Sequence, residues 1–268
     1  MPSTRDVFKD NLLENKVAFV VGGGSGICKG IARALAEHGC DIVICSRRQN
    51  LLEESASEIQ AATGRKCIPI AADIRIYSQI ESALNKAASL LGKIDFVIAG
   101  AAGNFLSPAN KLSANGFKAV IDIDVNGTFN TCRAAFEHLE KSRGVIIALS
   151  GVNHRRVASN QVHGSAGKNG VDSIVKSCAV EWGEYGIRVN GIAPGPISNT
   201  EGMKRLAGNR PLGDSGLPLA HNGEILDIEY AAVFLCSEAA RWITGATFIV
   251  DGGASLSGAG RIIPAAKL

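Results

Sequence analysis

Aromatic residues are scarce in this chain: they make up 5% of its 268 residues, with three tyrosines and two tryptophans. That scarcity removes the stacking platforms on which single-stranded nucleic acids are held, and argues against RNA binding through the basic loops. Charge of one sign is also in short supply. The formal net charge is +3, too small an excess to point to a polyanionic partner. No run of about 18 apolar residues occurs, so no membrane span is expected. The opening MPSTRDVFKDNLLENK is too polar for the apolar part of a secretory leader. The seven cysteines (Cys28, Cys40, Cys45, Cys67, Cys132, Cys178 and Cys236) include no C-x-x-C pair, and no metal site is expected. Most lie in apolar runs such as CDIVIC and KCIPIA, where a free thiol acts as a small core residue. A reducing compartment fits that usage.

What is present is a regular alternation. Short β-branched runs at 16–21, 41–46, 67–72, 94–99, 144–150, 187–193 and 246–251 are separated by helix-like stretches at 26–38, 50–62, 78–91, 113–141, 164–184 and 227–237. The strand runs are continuously apolar rather than alternating, as expected when helices cover both faces of a sheet. The expected fold is a single α/β domain over residues 1–268, a doubly wound, Rossmann-like, parallel seven-stranded sheet. Its core spans about residues 14–255, followed by a tail at 256–268. The glycine- and proline-rich stretch GNRPLGDSGLPLAHNG (208–223) breaks the rhythm, and reads either as a lid or as a plain surface insertion.

The first strand runs into GGGSGIC (22–28), which opens a helix. Glycines there let the backbone approach a pyrophosphate, and a helix N-terminus supplies unpaired N–H groups. Gly22, Gly24, Ser25, Gly26 and Ile27 are therefore candidate cofactor contacts. An acid at the end of the second strand would bind the ribose hydroxyls of NAD. Instead Ser46-Arg47-Arg48 stands there, and an arginine fork with a serine donor suits a 2′-phosphate. Two solvated surface arginines is the alternative. The expected cofactor is NADPH.

These motifs resemble the short-chain dehydrogenase/reductase family over about residues 14–255. Val21 and Cys28 depart from its fingerprint, standing where threonine and the last glycine are usual. The resemblance implies that Asp73 meets the adenine, and that ALS (148–150) and the turn with Pro194, Gly195 and Ile197 line the nicotinamide end. The family's chemistry uses asparagine, serine, tyrosine and lysine, with tyrosine four residues before lysine. Here Lys168 is kept, but Gly164 holds the tyrosine place, Gly151 the serine place and Asp124 the asparagine place. Asn126 is assigned a structural or solvent-facing role.

That altered set, together with AAGNFLSP, FKAVIDIDVNGTFN, QVHGSAGK, AVEWG and APGPISNTEGMKRL, closely resembles the peroxisomal 2,4-dienoyl-CoA reductases, a group within the family. The resemblance implies Asp124 and Lys168 as catalytic residues, with Lys168 also on the nicotinamide ribose. It implies Arg47 and Arg75 facing cofactor or CoA phosphates. Phe105, Ser113, Ala114 and Asn115 would contact a fatty acyl-CoA substrate, and Arg205 its CoA portion. Asn104 and His163 are either site or scaffold residues, and His154-Arg155-Arg156 is either a CoA-phosphate contact or a solvated loop. A homotetramer is also implied. Independently of that group, Ala266-Lys267-Leu268 differs at one residue from the Ser-Lys-Leu address of the peroxisomal import receptor, which makes peroxisomal residence an expectation. Two other functions stay open: a different enoyl-CoA reductase on the same scaffold, and a non-catalytic NADPH-binding protein.

Overall fold

A computed structural model describes residues 3–152, 159–206 and 217–256. Seven strands form one sheet: β1 (Val17–Val21), β2 (Asp41–Ser46), β3 (Cys67–Ala71), β4 (Phe96–Ala99), β5 (Val145–Leu149), β6 (Arg188–Pro194) and β7 (Thr247–Val250). Their order is β3-β2-β1-β4-β5-β6-β7, every pair parallel. This is the doubly wound sheet that the apolar runs predict. The chain winds outwards in both directions from β1 and β4. A crevice therefore opens beyond the carboxyl ends of those two strands, the usual ligand position in such sheets.

The continuous apolar runs divide their residues between two cores. Ala18, Val20, Ile42, Ile44, Phe96, Ile98 and Ile147 face α1 (Gly26–Glu37), α2 (Gln49–Thr63) and α8 (Ile225–Cys236). The intervening Phe19, Val21, Val43, Cys45, Val97 and Ile146 face α3 (Tyr77–Leu91), α5 (Gly127–Ser142) and α6 (Val162–Trp182). All seven cysteines are free and buried. Among the described residues no helix is long and apolar enough to cross a membrane.

Four of the differences from the expected elements have a visible local cause. β4 starts at Phe96 because Asp95 turns its carboxylate to the β1 backbone, accepting from Val17 N at 2.9 Å. The stretch expected as one helix over 113–141 is α4 (Ala114–Ile121), then a π-helical turn (Asp122–Asn126), then α5. The turn is closed by Gly127 N donating to Asp122 O. A short helix, α7 (Glu201–Leu206), follows Thr200, whose Oγ1 accepts from Met203 N at 3.2 Å. α8 begins earlier than expected because Asp227 turns back to accept from Glu224 N at 2.7 Å.

Before β1 the chain is pinned to the end of α1. His38, fully buried, has Nδ1 at 3.2 Å from Lys9 O and Nε2 at 3.0 Å from Thr4 Oγ1. Burial pushes the pKa of this imidazole below its ordinary value.

Candidate active site

The β1–α1 turn lies at the crevice. Gly22 sits at φ +82° and its N–H donates to Cys45 O at 2.7 Å, a conformation that a side chain would strain. α1 starts at Gly26 after Ser25, an exposed N-cap whose hydroxyl makes no capping hydrogen bond. The first N–H groups of α1 thus have no side-chain partner, and the space where a Cβ would stand at Gly26 is open. This is the arrangement that receives a pyrophosphate. Ser55 Oγ donates to Gly24 O at 3.0 Å and steadies the loop from α2. Ile27 is half-buried, packed on the core.

Cys28, out of place in the fingerprint, is accommodated by a second glycine. Its Sγ is 3.4 Å from Gly100 O, and a methyl group on Gly100 would come within 2.3 Å of that sulfur. Burial pushes the thiol pKa up to about 12, so it is a packing group rather than a nucleophile.

At the end of β2, Arg47 and Arg48 are exposed and Ser46 Oγ accepts from Arg48 N at 3.4 Å. Neither arginine makes an ion pair among the described residues, and the strand end carries no carboxylate. Across β3, Arg75 Nε is 2.9 and 3.1 Å from the two oxygens of Asp73. Hydrogen bonds from Arg75, chiefly from its side chain, hold the Asp73 carboxyl below the usual carboxylate range. Residues assigned separately to adenine and to phosphates therefore form one pair.

The centre of the site is assembled by the π turn. A turn widened by one residue aims Asp124 inward, where it is 1% exposed. Its Oδ1 accepts from Gly103 N at 3.0 Å, and its Oδ2 lies 3.3 Å from Lys168 Nζ. That second contact is an ion pair without hydrogen-bond alignment, so Oδ2 is a buried acceptor with no hydrogen bond. Lys168 Nζ instead donates to Leu149 O at 3.0 Å, at the carboxyl end of β5. The close approach of α6 requires Gly167: a methyl there would lie 3.1 Å from both Cβ and Oδ2 of Asp124. The Lys168 stem runs past Gly151, 3.5 Å from where a Cβ at 151 would stand.

A family model described as enoyl-(acyl carrier protein) reductase matches residues 22–255. The peroxisomal 2,4-dienoyl-CoA reductase of Pongo abelii is 42% identical over 261 residues, covering 96% of this chain and 89% of that protein. The protein of the same name from Saccharomyces cerevisiae is 42% identical over 255 residues, covering 93% and 87%. The chain belongs to the short-chain dehydrogenase/reductase family. Among solved structures, the 3-ketoacyl-(acyl-carrier-protein) reductase of Brucella melitensis, complexed with NADH, superposes with TM-score 0.84 at 29% identity. That match covers 91% of this chain and 99% of the other.

The family's usual tyrosine would not fit in this short-chain reductase. A Cβ built on Gly164 stands 2.7 Å from Asn104 Nδ2 and 2.9 Å from its Oδ1, so the carboxamide occupies the start of the tyrosine path. Asn104 is fixed from both sides. Its Oδ1 accepts from Phe105 N at 2.9 Å and its Nδ2 donates to Gln161 Oε1 at 3.1 Å. Next to Gly164, the fully buried His163 donates from Nε2 to Phe105 O at 2.8 Å, and its ring stacks on Phe105 at 4.4 Å between centroids. Asn126 is exposed and donates to Asp122 Oδ1 at 3.0 Å, the structural role assigned to it.

The remaining expected contacts divide. Phe105, Ala114, Asn115 and Arg205 are exposed. Ser113 is exposed too, but its hydroxyl caps α4, accepting from Gly116 N at 3.0 Å. Pro194 ends β6 and Gly195 N donates to Val250 O at 2.9 Å; a methyl on Gly195 would meet Asp251 at 2.6 Å. The Ile197 side chain is buried, 4% exposed, and its carbonyl oxygen accepts from Thr200 Oγ1 at 2.9 Å. The run 154–156, part of the 208–223 stretch and the Ala266-Lys267-Leu268 tail lie outside the described residues. Among the described residues no group of His, Cys, Asp and Glu could hold a metal ion.

Sequence reasoning missed Gly103 N, Leu149 O and the filling of the Gly164 space. The first two act through main-chain atoms, and residue identity does not report them.

Proposed function

We propose that this short-chain reductase uses NADPH to convert 2,4-dienoyl-CoA to 3-enoyl-CoA during peroxisomal oxidation of unsaturated fatty acids. The observation that carries the reading is the buried Asp124–Lys168 pair, with a carboxylate oxygen lacking a hydrogen bond, in a site whose tyrosine path is filled by Asn104. A ketone reductase must protonate oxygen. A dienoyl thioester that accepts hydride at C5 must be protonated at Cα, and a tyrosine that protonates a carbonyl oxygen is not required there.

The residues divide the work. A bound NADPH supplies the hydride. The turn from Gly22 to Ile27 and the open N-terminus of α1 suit its pyrophosphate. Ser46, Arg47 and Arg48 suit a 2′-phosphate, with no acid present to repel it. Lys168 holds the nicotinamide ribose, and its charge favours the developing enolate. Asp124 Oδ2 accepts a hydrogen bond from the proton carrier at Cα, while Gly103 N fixes the other oxygen. Phe105, Ser113, Ala114, Asn115, Arg75 and Arg205 serve the acyl-CoA.

The relatives named peroxisomal support the location. Exposed apolar side chains on α5 and α6, Phe129, Val162 and Val180, support assembly into a homotetramer. The deciding experiment follows NADPH oxidation with 2,4-hexadienoyl-CoA and with crotonyl-CoA, and locates the product double bond by NMR. Turnover of the diene to a 3-enoyl product is expected. Turnover of crotonyl-CoA alone would favour the enoyl reductase suggested by the matching family description, and NADPH binding without turnover of either would refute both.

A further inference from the structure

We propose that Asp73 and Arg75 form a latch that makes the binding of NADPH and of the acyl-CoA interdependent: each ligand draws on one half of the pair, and whichever arrives first bears the cost of opening it. The inference rests on the dienoyl-CoA reading and deepens it by assigning how the two ligands of that site act on each other. The shape of a dinucleotide leads to Asp73. Its pyrophosphate suits the start of α1 and its 2′-phosphate the end of β2, so its adenine lies one strand further out. β3 is that strand, in register with β2 through Ser46 and Ala71, and Asp73 stands two residues past its end. A carboxylate there is an acceptor for the exocyclic amine of adenine. That acceptor is already taken by Arg75.

Arg75 holds the carboxylate from three atoms. Its Nε donates to both oxygens, at 2.9 and 3.1 Å, its Nη2 donates to Oδ2, and its main-chain N donates to Oδ1 at 3.0 Å. The side chain of Asp73 is 15% exposed and that of Arg75 40%, so the guanidinium is the half that can leave. The main chain between them is held in place. Ile74 O accepts from Asn130 Nδ2 at 2.8 Å, and the Ile74 side chain fills the space where a methyl on Gly127 would stand, 2.3 Å away. Asp73 N donates to Gln79 Oε1 at 2.9 Å, which ties the acid to α3. Asp122, a second carboxylate acting on the guanidinium, is held by Lys118 and Asn126. A released Arg75 therefore swings as a side chain alone, and its fork fits a phosphate of CoA. Two equilibria share one cost: adenine needs the guanidinium off the carboxylate, and so does the CoA phosphate. A ligand that opens the latch removes that cost for the other, and the coupling is reciprocal. A partly exposed ion pair is weak, which limits the coupling to about 5-fold.

Calorimetric titration of NADP⁺ and of CoA, each alone and with the other saturating, tests the latch in the unaltered protein, in Arg75→Ala and in Asp73→Asn. Unacylated CoA keeps contact between the acyl chain and the nicotinamide out of the measurement. In the unaltered protein each ligand should tighten the other about 5-fold. Arg75→Ala should bind NADP⁺ about 5-fold more tightly, although a positive charge has been lost near an anionic ligand, because no guanidinium has to be displaced. It should bind CoA more weakly and show no coupling. Asp73→Asn should bind CoA without NADP⁺ about as tightly as the unaltered protein binds it with NADP⁺, again with the coupling gone. A coupling factor within about twofold of one in the unaltered protein overturns the proposal. So does coupling that survives in either variant; CoA tightened by Asp73→Asn equally with and without NADP⁺ would report only the removal of a negative charge. Unchanged or weaker NADP⁺ binding by Arg75→Ala overturns it too, and the weaker case would mark the arginine as a ligand of the cofactor's 2′-phosphate. If Asp73→Asn fails to fold, Arg75→Ala carries the test, since its side chain is part-exposed. If the unaltered protein binds NADP⁺ but no CoA, the dienoyl-CoA reading fails, and the latch with it.

Discussion

Asp124→Asn removes one charge and almost no volume, which makes it the sharpest probe of the site. The new amide has a fixed orientation. Gly103 N, 3.0 Å from Oδ1, demands an oxygen there, so the NH2 group must face Lys168 Nζ across the present 3.3 Å contact. Two donors then oppose one another where an ion pair stood. Breaking a fully buried pair costs about 3–5 kcal/mol. Lys168, 14% exposed, keeps its bond to Leu149 O, so the cost here is lower, about 1–3 kcal/mol. For a chain of this size that corresponds to a fall in Tm of roughly 2–12 °C. The effect on the reaction is separate and larger. The substituted group has lost the acceptor that serves the proton carrier, and loss of a general acid–base group lowers kcat by two to four decades, about 3–5 kcal/mol. Single-turnover mixing of enzyme–NADPH with the dienoyl-CoA measures the chemical step, and fluorescence titration measures NADPH binding. Slow chemistry with near-normal NADPH affinity is expected. A single-turnover rate within about threefold of the unaltered enzyme would refute the assignment.

Arg47→Ala should raise the KM for NADPH while leaving that for NADH nearly unchanged; equal changes would remove Arg47 as a 2′-phosphate ligand. Gly164→Tyr should lower stability and give no gain in dienoyl-CoA turnover, because its Cβ lands 2.7 Å from the Asn104 amide; a faster enzyme would contradict the proton delivery proposed at Cα. Gly100→Ala should cost about 1–3 kcal/mol in urea unfolding, since the added methyl meets Cys28 Sγ at 2.3 Å. Adding Cys28→Gly should return part of that loss, and strict additivity of the two changes would show that they do not share a contact. His38 titrates below its ordinary value when folded, so the unfolded chain takes up the proton first as pH falls. Stability should therefore be full above the unfolded pKa of about 6.5 and decline as pH drops through it, and His38→Gln should flatten that segment of the curve.

The sheet was legible because burial on both faces leaves a plain mark, runs such as VAFVV and DIVICS with no polar alternation. Asp124 was legible by counting back from Gly127, and Lys168 by its distance from the vacant tyrosine place. The π turn was not, since DIDVN carries the same residue types whether a turn holds one residue more or fewer. α7 left a readable mark in Thr200, a capping residue three before Met203, but the nearby glycines hid it. The arrangement around Gly164 could not be read at all: Asn104 comes from the loop after β4 and Gly164 from α6, and no spacing rule joins them.

The extra residue in the π turn has a consequence for register. Each residue of an α-helix advances about 100° around the axis, so one residue added to a regular helix would turn everything beyond it by that angle. Val120 in α4 and Thr128, Thr131, Cys132, Ala135 and Leu139 in α5 are all buried, so the wide turn takes up its extra residue without rotating either helix off the core. Deleting a single residue between 122 and 126 would close the path into one regular helix. Both helices could then keep their faces, but the widened turn that aims Asp124 inward would be gone. The inward aspartate and the wide turn are therefore inherited together, as one geometric unit.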